Sequence, residues 1–444
     1  MFLKIRLKSI LKAFLILLVA TIINTAIVKA QGETCNPFSF NLAPDYRNSQ
    51  RINAFGTADL NNDGFVDVVT TNQTTQSLSF FYGDGSGGFA PPQTLSLGTQ
   101  VISVLTLADM NHDGRIDIIG ASSGGNFNTN KITVLLNTGQ GGFSAPVITD
   151  LPNNVIEFYY LKTGDFNGDG HPDLAAVTRT NFNIFPGNGL GQFSLAATLP
   201  WDGNKSGIAV GKFNGDNITD IAVTSAGSSA TWQIGIVAGN SGNSFSFNNF
   251  YNLTGQPLGL ETADFNRDGN ADLIVSENYP YSNNTPQTRF LEIWNGSGSG
   301  AFTAGTKVQY PVGTQFIPMD LTTGDFNDDG NADVAVNFNT VVAVNYGAGN
   351  GTFRSQKFWA TPYAQSIASA DLNQDNKKDL LTLSNFSLYG AINTLINKGN
   401  EKFSAPEAVL GGKRFIAAPD MNNDNYPDSV TANSYEVLVG LNDQ

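Results

Sequence analysis

The sequence predicts an all-β fold: an eight-bladed β-propeller of four-stranded antiparallel blades closed by the N-terminal strand, with seven blades as the alternative. Three observations carry this reading. A nine-residue acidic loop recurs eight times, starting at Asp59, Asp109, Asp165, Lys212, Asp264, Asp325, Asp371 and Asp420, at spacings of 50, 56, 47, 52, 61, 46 and 49 residues. Between loops lie short β-branched stretches separated by turn residues, the mark of antiparallel strands. The two chain ends also complement each other. A period near fifty residues identifies one supersecondary unit repeated along the chain.

Within a unit the elements follow a fixed order. In the second, Val101–Ala108 leads into the loop and Ile116–Ala121 leads out of it. Lys131–Asn137 is a third strand, and a glycine turn at residues 139–142 precedes Phe143-Ser-Ala-Pro146 and a fourth. The turn recurs at Gly187–Phe193 and Gly347–Phe353. Four antiparallel strands per repeat make a propeller blade. After the eighth loop only Ser429–Ala432 and Tyr435–Leu441 follow, whereas Asn36–Pro44 precedes the first loop as an unpaired strand. Joining that strand to the last blade closes an eight-membered ring and removes exposed edges. In the seven-blade alternative the fourth unit is the aberrant one.

The loop itself reads as a hard-cation site. Calcium takes about six to eight oxygen ligands, and a tight loop supplies them from side chains at positions 1, 3 and 5 and a carbonyl at position 7. Position 6 turns sharply, which suits Gly. Here an acid at position 9 closes the loop. The candidate ligands are Asp59, Asn61, Asp63, Phe65 and Asp67; Asp109, Asn111, Asp113, Arg115 and Asp117; Asp165, Asn167, Asp169, His171 and Asp173. They continue with Asp264, Asn266, Asp268, Asn270 and Asp272; and Asp325, Asn327, Asp329, Asn331 and Asp333. The last two sets are Asp371, Asn373, Asp375, Lys377 and Asp379, and Asp420, Asn422, Asp424, Tyr426 and Asp428. The position-7 residue contributes only its carbonyl. Asn376 and Asn425 replace Gly at position 6, and Asn is the next best left-handed residue. About seven Ca2+ sites are expected. The loop starting at Lys212 is expected to be empty, with the ammonium standing in for the ion. Asp, Asn and Gly also make ordinary turns, but acids at positions 1, 5 and 9 in seven copies exceed what turns require. Of 38 acidic residues, 23 occupy those positions, so metal should stabilise the fold.

The Asp-x-Asn-x-Asp-Gly-x-x-Asp loops and the Gly-Phe-x-x-Pro turns resemble the FG-GAP repeats of the integrin α-chain N-terminal propeller and the VCBS-type repeats of secreted bacterial proteins. The resemblance covers about residues 36–444. It implies calcium at hairpin loops on one face of the disc. It implies little about activity, since the scaffold hosts adhesins, lectins and polysaccharide lyases. The Lys212 loop and the eighth repeat depart from the integrin pattern.

Residues 1–30 read as a signal peptide: Lys4, Arg6, Lys8 and Lys12, then the apolar run Ala13–Val28, then a small-residue cleavage site at Ala30. Residues 31–444 then form a single propeller domain, secreted, periplasmic or displayed at the cell surface. Removing five basic residues from a formal charge of −14 leaves the mature chain near −19, which argues against nucleic acid and anionic membranes as partners. A monomer without membrane insertion is expected. Cys35 is the sole cysteine, so the domain has no internal disulfide.

Only two histidines occur, His112 and His171, both inside acidic loops and read as exposed turn residues. Nucleophile–histidine systems and a His/Cys zinc site are therefore disfavoured. A ligand is expected on the face opposite the calcium loops, at Tyr160, Trp201, Asp320, Trp359, Tyr363 and Arg414. Aromatics mixed with charged residues suit sugar rings or a protein partner. The favoured function is a non-catalytic binding or adhesion module for carbohydrate or extracellular protein. The alternative is a carbohydrate-active enzyme such as a calcium-dependent polysaccharide lyase.

Overall fold

The computed structural model describes residues 52–72, 75–122, 130–152, 155, 157–201, 207–225, 232–279, 288–310, 318–338, 340–361, 364–386, 389–404, 407–408, 414–417, 429–432 and 437–440. These residues form strands, turns and bends, with no helix among them. Four consecutive strands hydrogen-bond in order to make a blade, beginning with Ile52–Ala58, Asp67–Asn72, Ser77–Phe81 and Gln93–Ser96. Six further four-stranded antiparallel sheets follow. Their first, innermost strands are Val104–Ala108, Phe158–Gly164, Ile208–Gly211, Gln256–Ala263, Pro318–Gly324 and Ala364–Ala370. The second strands, such as Asp173–Thr178 and Asp333–Phe338, are buried throughout because both faces meet neighbouring blades.

The core is divided into seven apolar clusters, one between each pair of adjacent blades. The cluster that decides the blade count joins the seventh blade to the first. Leu372, Leu381, Leu383, Ile392 and Ile396 pack on Val68, Phe81 and Phe89. Across the same junction Gln374 Nε2 donates to Gly64 O at 2.8 Å. The ring is therefore a seven-bladed propeller, and eight blades is corrected to the alternative count. Each described blade is a contiguous stretch of chain, so closure comes from face-to-face burial of apolar surface. The eighth unit instead forms a separate three-stranded sheet of Arg414–Ala417, Ser429–Ala432 and Val437–Gly440. The fourth unit, suspected of being aberrant, is a complete blade. The strand expected at Asn36–Pro44 and the signal segment lie outside the described residues, as does the eighth loop, Asp420–Asp428.

The residue at loop position 2 explains why the repeats stack. Leu60, Met110, Phe166, Phe213, Phe265, Phe326 and Leu372 are each at most 2% exposed and anchor their loops between blades. Trp294 is buried in the junction of blades 4 and 5, with Trp232 packed against the same cluster.

Candidate functional site

Each acidic loop joins the first strand of a blade to the second and is built by its own side chains. In the first loop Asp59 Oδ2 accepts from Gly64 N at 2.8 Å and Asn61 Oδ1 from Asp63 N at 2.9 Å. Asp63 Oδ1 accepts from Phe65 N at 2.8 Å. The loops at Asp109, Asp165, Asp264, Asp325 and Asp371 repeat this inward-turned set. Six described loops thus hold the oxygens of positions 1, 3 and 5 together around backbone N–H groups. That donor set, two carboxylates and an amide, is of the kind that a hard cation such as Ca2+ takes.

Position 9 does different work. Asp67 Oδ2 accepts from Leu60 N and its Oδ1 from Gly83 N, both at 2.8 Å. The same pair of bonds recurs at Asp117, Asp173, Asp220, Asp272, Asp333 and Asp379. These carboxylates clamp the loop to the turn after the third strand and are at most 1% exposed. Burial, with the neighbouring acids of the loop, pushes Asp67, Asp173 and Asp379 up to about 6 and Asp333 to about 7. Backbone N–H groups hold them down only partly.

Three features of the loops lie beyond the nine-residue pattern. Position 4 has positive φ in all seven described loops: Asn62, His112, Gly168, Gly215, Arg267, Asp328 and Gln374. Only two of these are Gly, so composition does not betray the turn. Position-4 side chains also reach the next loop of the ring: Arg267 Nη2 donates to Gly330 O at 2.7 Å, and His112 Nε2 lies 2.7 Å from Gly170 O. The His112 and His171 rings stand 5.8 Å apart, so the two turn residues meet between neighbouring loops, His112 exposed as expected and His171 half-buried. Basic side chains meet the position-5 carboxylates in some loops: Arg115 on Asp113, Lys377 on Asp375 and Arg354 on Asp329. In the fourth loop Lys212 is exposed and makes no ion pair with a described residue, so its ammonium does not fill the loop. Asn214 N and Nδ2 bond Asp220 there instead.

The second candidate site is an axial cavity of 480 Å³ enclosed by the inner strands of all seven blades. This volume falls within the range of about 300–1,000 Å³ usual for small-molecule sites. Its lining residues stop at least two positions before each loop, for example at Thr57, Leu107 and Lys162. The position directly before the loop is Ala or Gly in every described blade. The cavity therefore lies toward the ends of the inner strands remote from the acidic loops.

Most of the lining is small or apolar, including Phe55, Val104, Leu105, Leu107 and Ile208. Tyr160, Lys162, Glu261 and Asp320, from blades 3, 5 and 6, converge on the cavity, and the hydroxyls of Thr57, Thr106, Thr322, Ser366 and Ser369 line it as well. Lys162 Nζ meets Glu261 Oε1 at 3.0 Å, past blade 4, which has the small Ala209 at the same level. The pair keeps 35% and 28% side-chain exposure, so water screens it and it adds little stability. Asp320 Oδ1 accepts from Leu321 N at 2.9 Å and Oδ2 from Ile367 N of blade 7 at 3.3 Å. Burial pushes its carboxyl up to about 7, the two N–H groups opposing and Glu261 reinforcing the shift. Burial, then Asp320, raises the Tyr160 phenol. Glu261 raises the Lys162 ammonium.

Backbone irregularities set these side chains. Pairing of the first two strands slips between Phe158 and Tyr160, and between Pro318 and Asp320. It slips at the same level between Pro257 and Gly259 and between Ala364 and Ser366. A bulge re-aims the residue that follows it, and here the residues concerned, Tyr160, Gly259, Asp320 and Ser366, line the cavity.

Of the six ligand residues expected from sequence, the structure brings Tyr160 and Asp320 together. Trp201 is a correction: it is 5% exposed, stacks on Phe247 at 4.7 Å between blades 3 and 4, and donates Nε1 to Thr224 O. Trp359 is corrected likewise. It is half-buried on the outermost strand of blade 6, edge-on to Phe403 at 5.0 Å. Tyr363 and the side chain of Arg414 lie outside the described residues. Lys162 completes the cluster and carried no sequence signal, because a lone Lys in a strand is usually solvated. Glu277 is not part of it. With Glu292 it surrounds Lys307 inside blade 5, where Gly255 N donates to Glu277 at 2.6 Å.

Comparison with known proteins agrees with this architecture. The FG-GAP-like repeat family model matches residues 59–120, 109–176, 165–223 and 213–275. No curated protein matches the chain. Among solved structures, an Agrocybe aegerita lectin that recognises non-reducing terminal N-acetylglucosamine aligns at 19% identity and a TM-score of 0.48. The alignment covers 70% of this chain and 80% of that one, and nothing about this chain's ligand follows from it. The matched repeats, and their loop geometry continued through blade 7, identify the chain as an FG-GAP repeat protein.

Proposed function

We propose that this protein is an exported, calcium-stabilised propeller that serves as a non-catalytic binding module for carbohydrate or extracellular protein, with its ligand taken at the axial cavity. The observation that carries the reading is the convergence in that cavity of Tyr160, Lys162, Glu261 and Asp320, from three blades, within an otherwise small, apolar and hydroxyl-bearing lining. Such a mixture is the usual make-up of a ligand site. The loops supply the metal part of the proposal. Their oxygens would hold Ca2+ at positions 1, 3 and 5, and the bound ion would offset the loop carboxylates. Export follows from the basic and apolar N-terminal segment and suits weak extracellular calcium sites.

Two measurements test this. Calcium should raise the melting temperature of the mature chain by several degrees, and a chelator should reverse the rise; an unchanged melting curve would sink the metal proposal. A panel of glycans and extracellular proteins should yield at least one ligand that is bound without being altered. Release of an ultraviolet-absorbing unsaturated product from a polyuronide would establish the lyase instead.

A further inference from the structure

The axial cavity holds enough chemistry to restrict what enters it. Its one ammonium is already paired: Lys162 Nζ lies 3.0 Å from Glu261 Oε1. With Asp320 added, the cluster carries no net positive charge, and the whole chain has a formal charge of −14. A carboxylate or phosphate ligand would therefore enter against the field of the protein. A cationic ligand fares little better, because an amine reaching Glu261 must approach the Lys162 ammonium.

The remaining hydrogen-bonding capacity is mixed. The Tyr160 hydroxyl takes no partner among the described residues, and neither does Glu261 Oε2. Lys162 has N–H groups beyond the one directed at Glu261, and each Asp320 oxygen accepts only one backbone N–H. Donors and acceptors thus alternate around one side of the cavity. A hydroxyl group both donates and accepts, so neighbouring hydroxyls can bridge a carboxylate and an ammonium without adding charge. Across the cavity, blades 1 and 2 add Phe55 and Val104 together with the hydroxyls of Thr57 and Thr106, so the lining there is uncharged and of mixed polarity. A neutral molecule that carries several hydroxyls on a C–H framework, such as a pyranose, matches this lining.

We infer that the axial cavity binds a neutral pyranose, its hydroxyls held by Tyr160, Lys162, Glu261 and Asp320, and that it discriminates against uronates and other anionic sugars. This rests on the reading of the protein as a binding module and narrows it to one ligand class at one site.

The test is titration calorimetry on the full mature chain, with methyl hexopyranosides, glucuronate and glucosamine as probes, alongside Tyr160→Phe, Glu261→Gln and Lys162→Met. Tyr160→Phe removes one hydroxyl and serves as the variant least able to disturb folding; melting curves report the integrity of each. The expected result is binding of at least one neutral hexopyranoside, at least tenfold weaker binding of glucuronate, and at least tenfold loss of affinity in Glu261→Gln with a smaller loss in Tyr160→Phe. Equal or tighter binding of glucuronate overturns the inference. So does neutral-sugar binding that all three folded variants retain, which would place a sugar site elsewhere and leave the binding-module reading intact. If no sugar binds but an identified extracellular protein does, and the variants weaken it, the sugar inference falls while the cavity remains the site.

Discussion

Asp320 shows how a single side chain can be both structural and responsive. Both of its oxygens accept backbone N–H groups, yet burial raises its carboxyl to about 7. Because the folded value exceeds the usual carboxylate value, folding favours the protonated form. The stabilising contribution is therefore complete below about pH 4 and is lost as pH rises through about 7. Asp320→Asn removes this titration. In calcium-saturated protein, the fall in melting temperature between pH 5 and pH 8 should be smaller in Asp320→Asn than in the parent; identical profiles would show that Asp320 does not govern it. The glycines illustrate a different economy at this scale. Gly269 adopts φ +85° with open space around a potential Cβ, so backbone conformation alone demands it. At Gly296 a Cβ would stand 2.1 Å from Ala271 O, so close approach demands it instead.

At the scale of the element, the repeated loop proves to be two devices fused. Positions 1, 3 and 5 gather oxygens, while position 9 clamps the loop to the blade. The two were indistinguishable as letters, because each is simply Asp or Asn at a regular interval. Only hydrogen-bond partners separate them: Asp272 accepts from Phe265 N at 2.9 Å and Gly296 N at 2.7 Å. Leaving a buried donor unsatisfied costs about 1–3 kcal/mol. Asp272→Ala should therefore destabilise the protein by roughly 2–4 kcal/mol in urea unfolding even with a chelator present. A loss seen only with calcium would mean that position 9 acts through the metal alone. The bulges in the inner strands were equally hidden. Nothing in the residues of Phe158–Gly164 or Pro318–Gly324 marks a bulge, and the slip that presents Tyr160 and Asp320 to the cavity depends on pairing with the second strand.

For the whole molecule the decisive fact is how the ring closes. The sequence carries eight copies of the loop motif, but copies of a repeat and members of a ring are different quantities. Blade 7 buries Leu381, Leu383 and Ile392 against Val68 and Phe81 of blade 1, leaving no junction for another blade. All seven interblade clusters draw on residues between Phe55 and Phe403. A mature chain ending at Ala408 should consequently retain one cooperative melting transition within a few degrees of the parent. Loss of that transition, or exposure of hydrophobic surface to a dye, would show that the three-stranded eighth unit is needed to complete the fold.

The sequence by itself determined the class of structure and the position of nearly every loop, because period, turn chemistry and strand composition are local properties. It also singled out Tyr160 and Asp320, which the structure brings to one cavity. Tertiary structure alone decided the blade count, the burial of Trp201 between blades and the recruitment of Lys162 and Glu261 into one cluster. Each of these depends on which apolar faces meet around the ring, and residues far apart in the chain acquire a common neighbourhood only when that ring has closed.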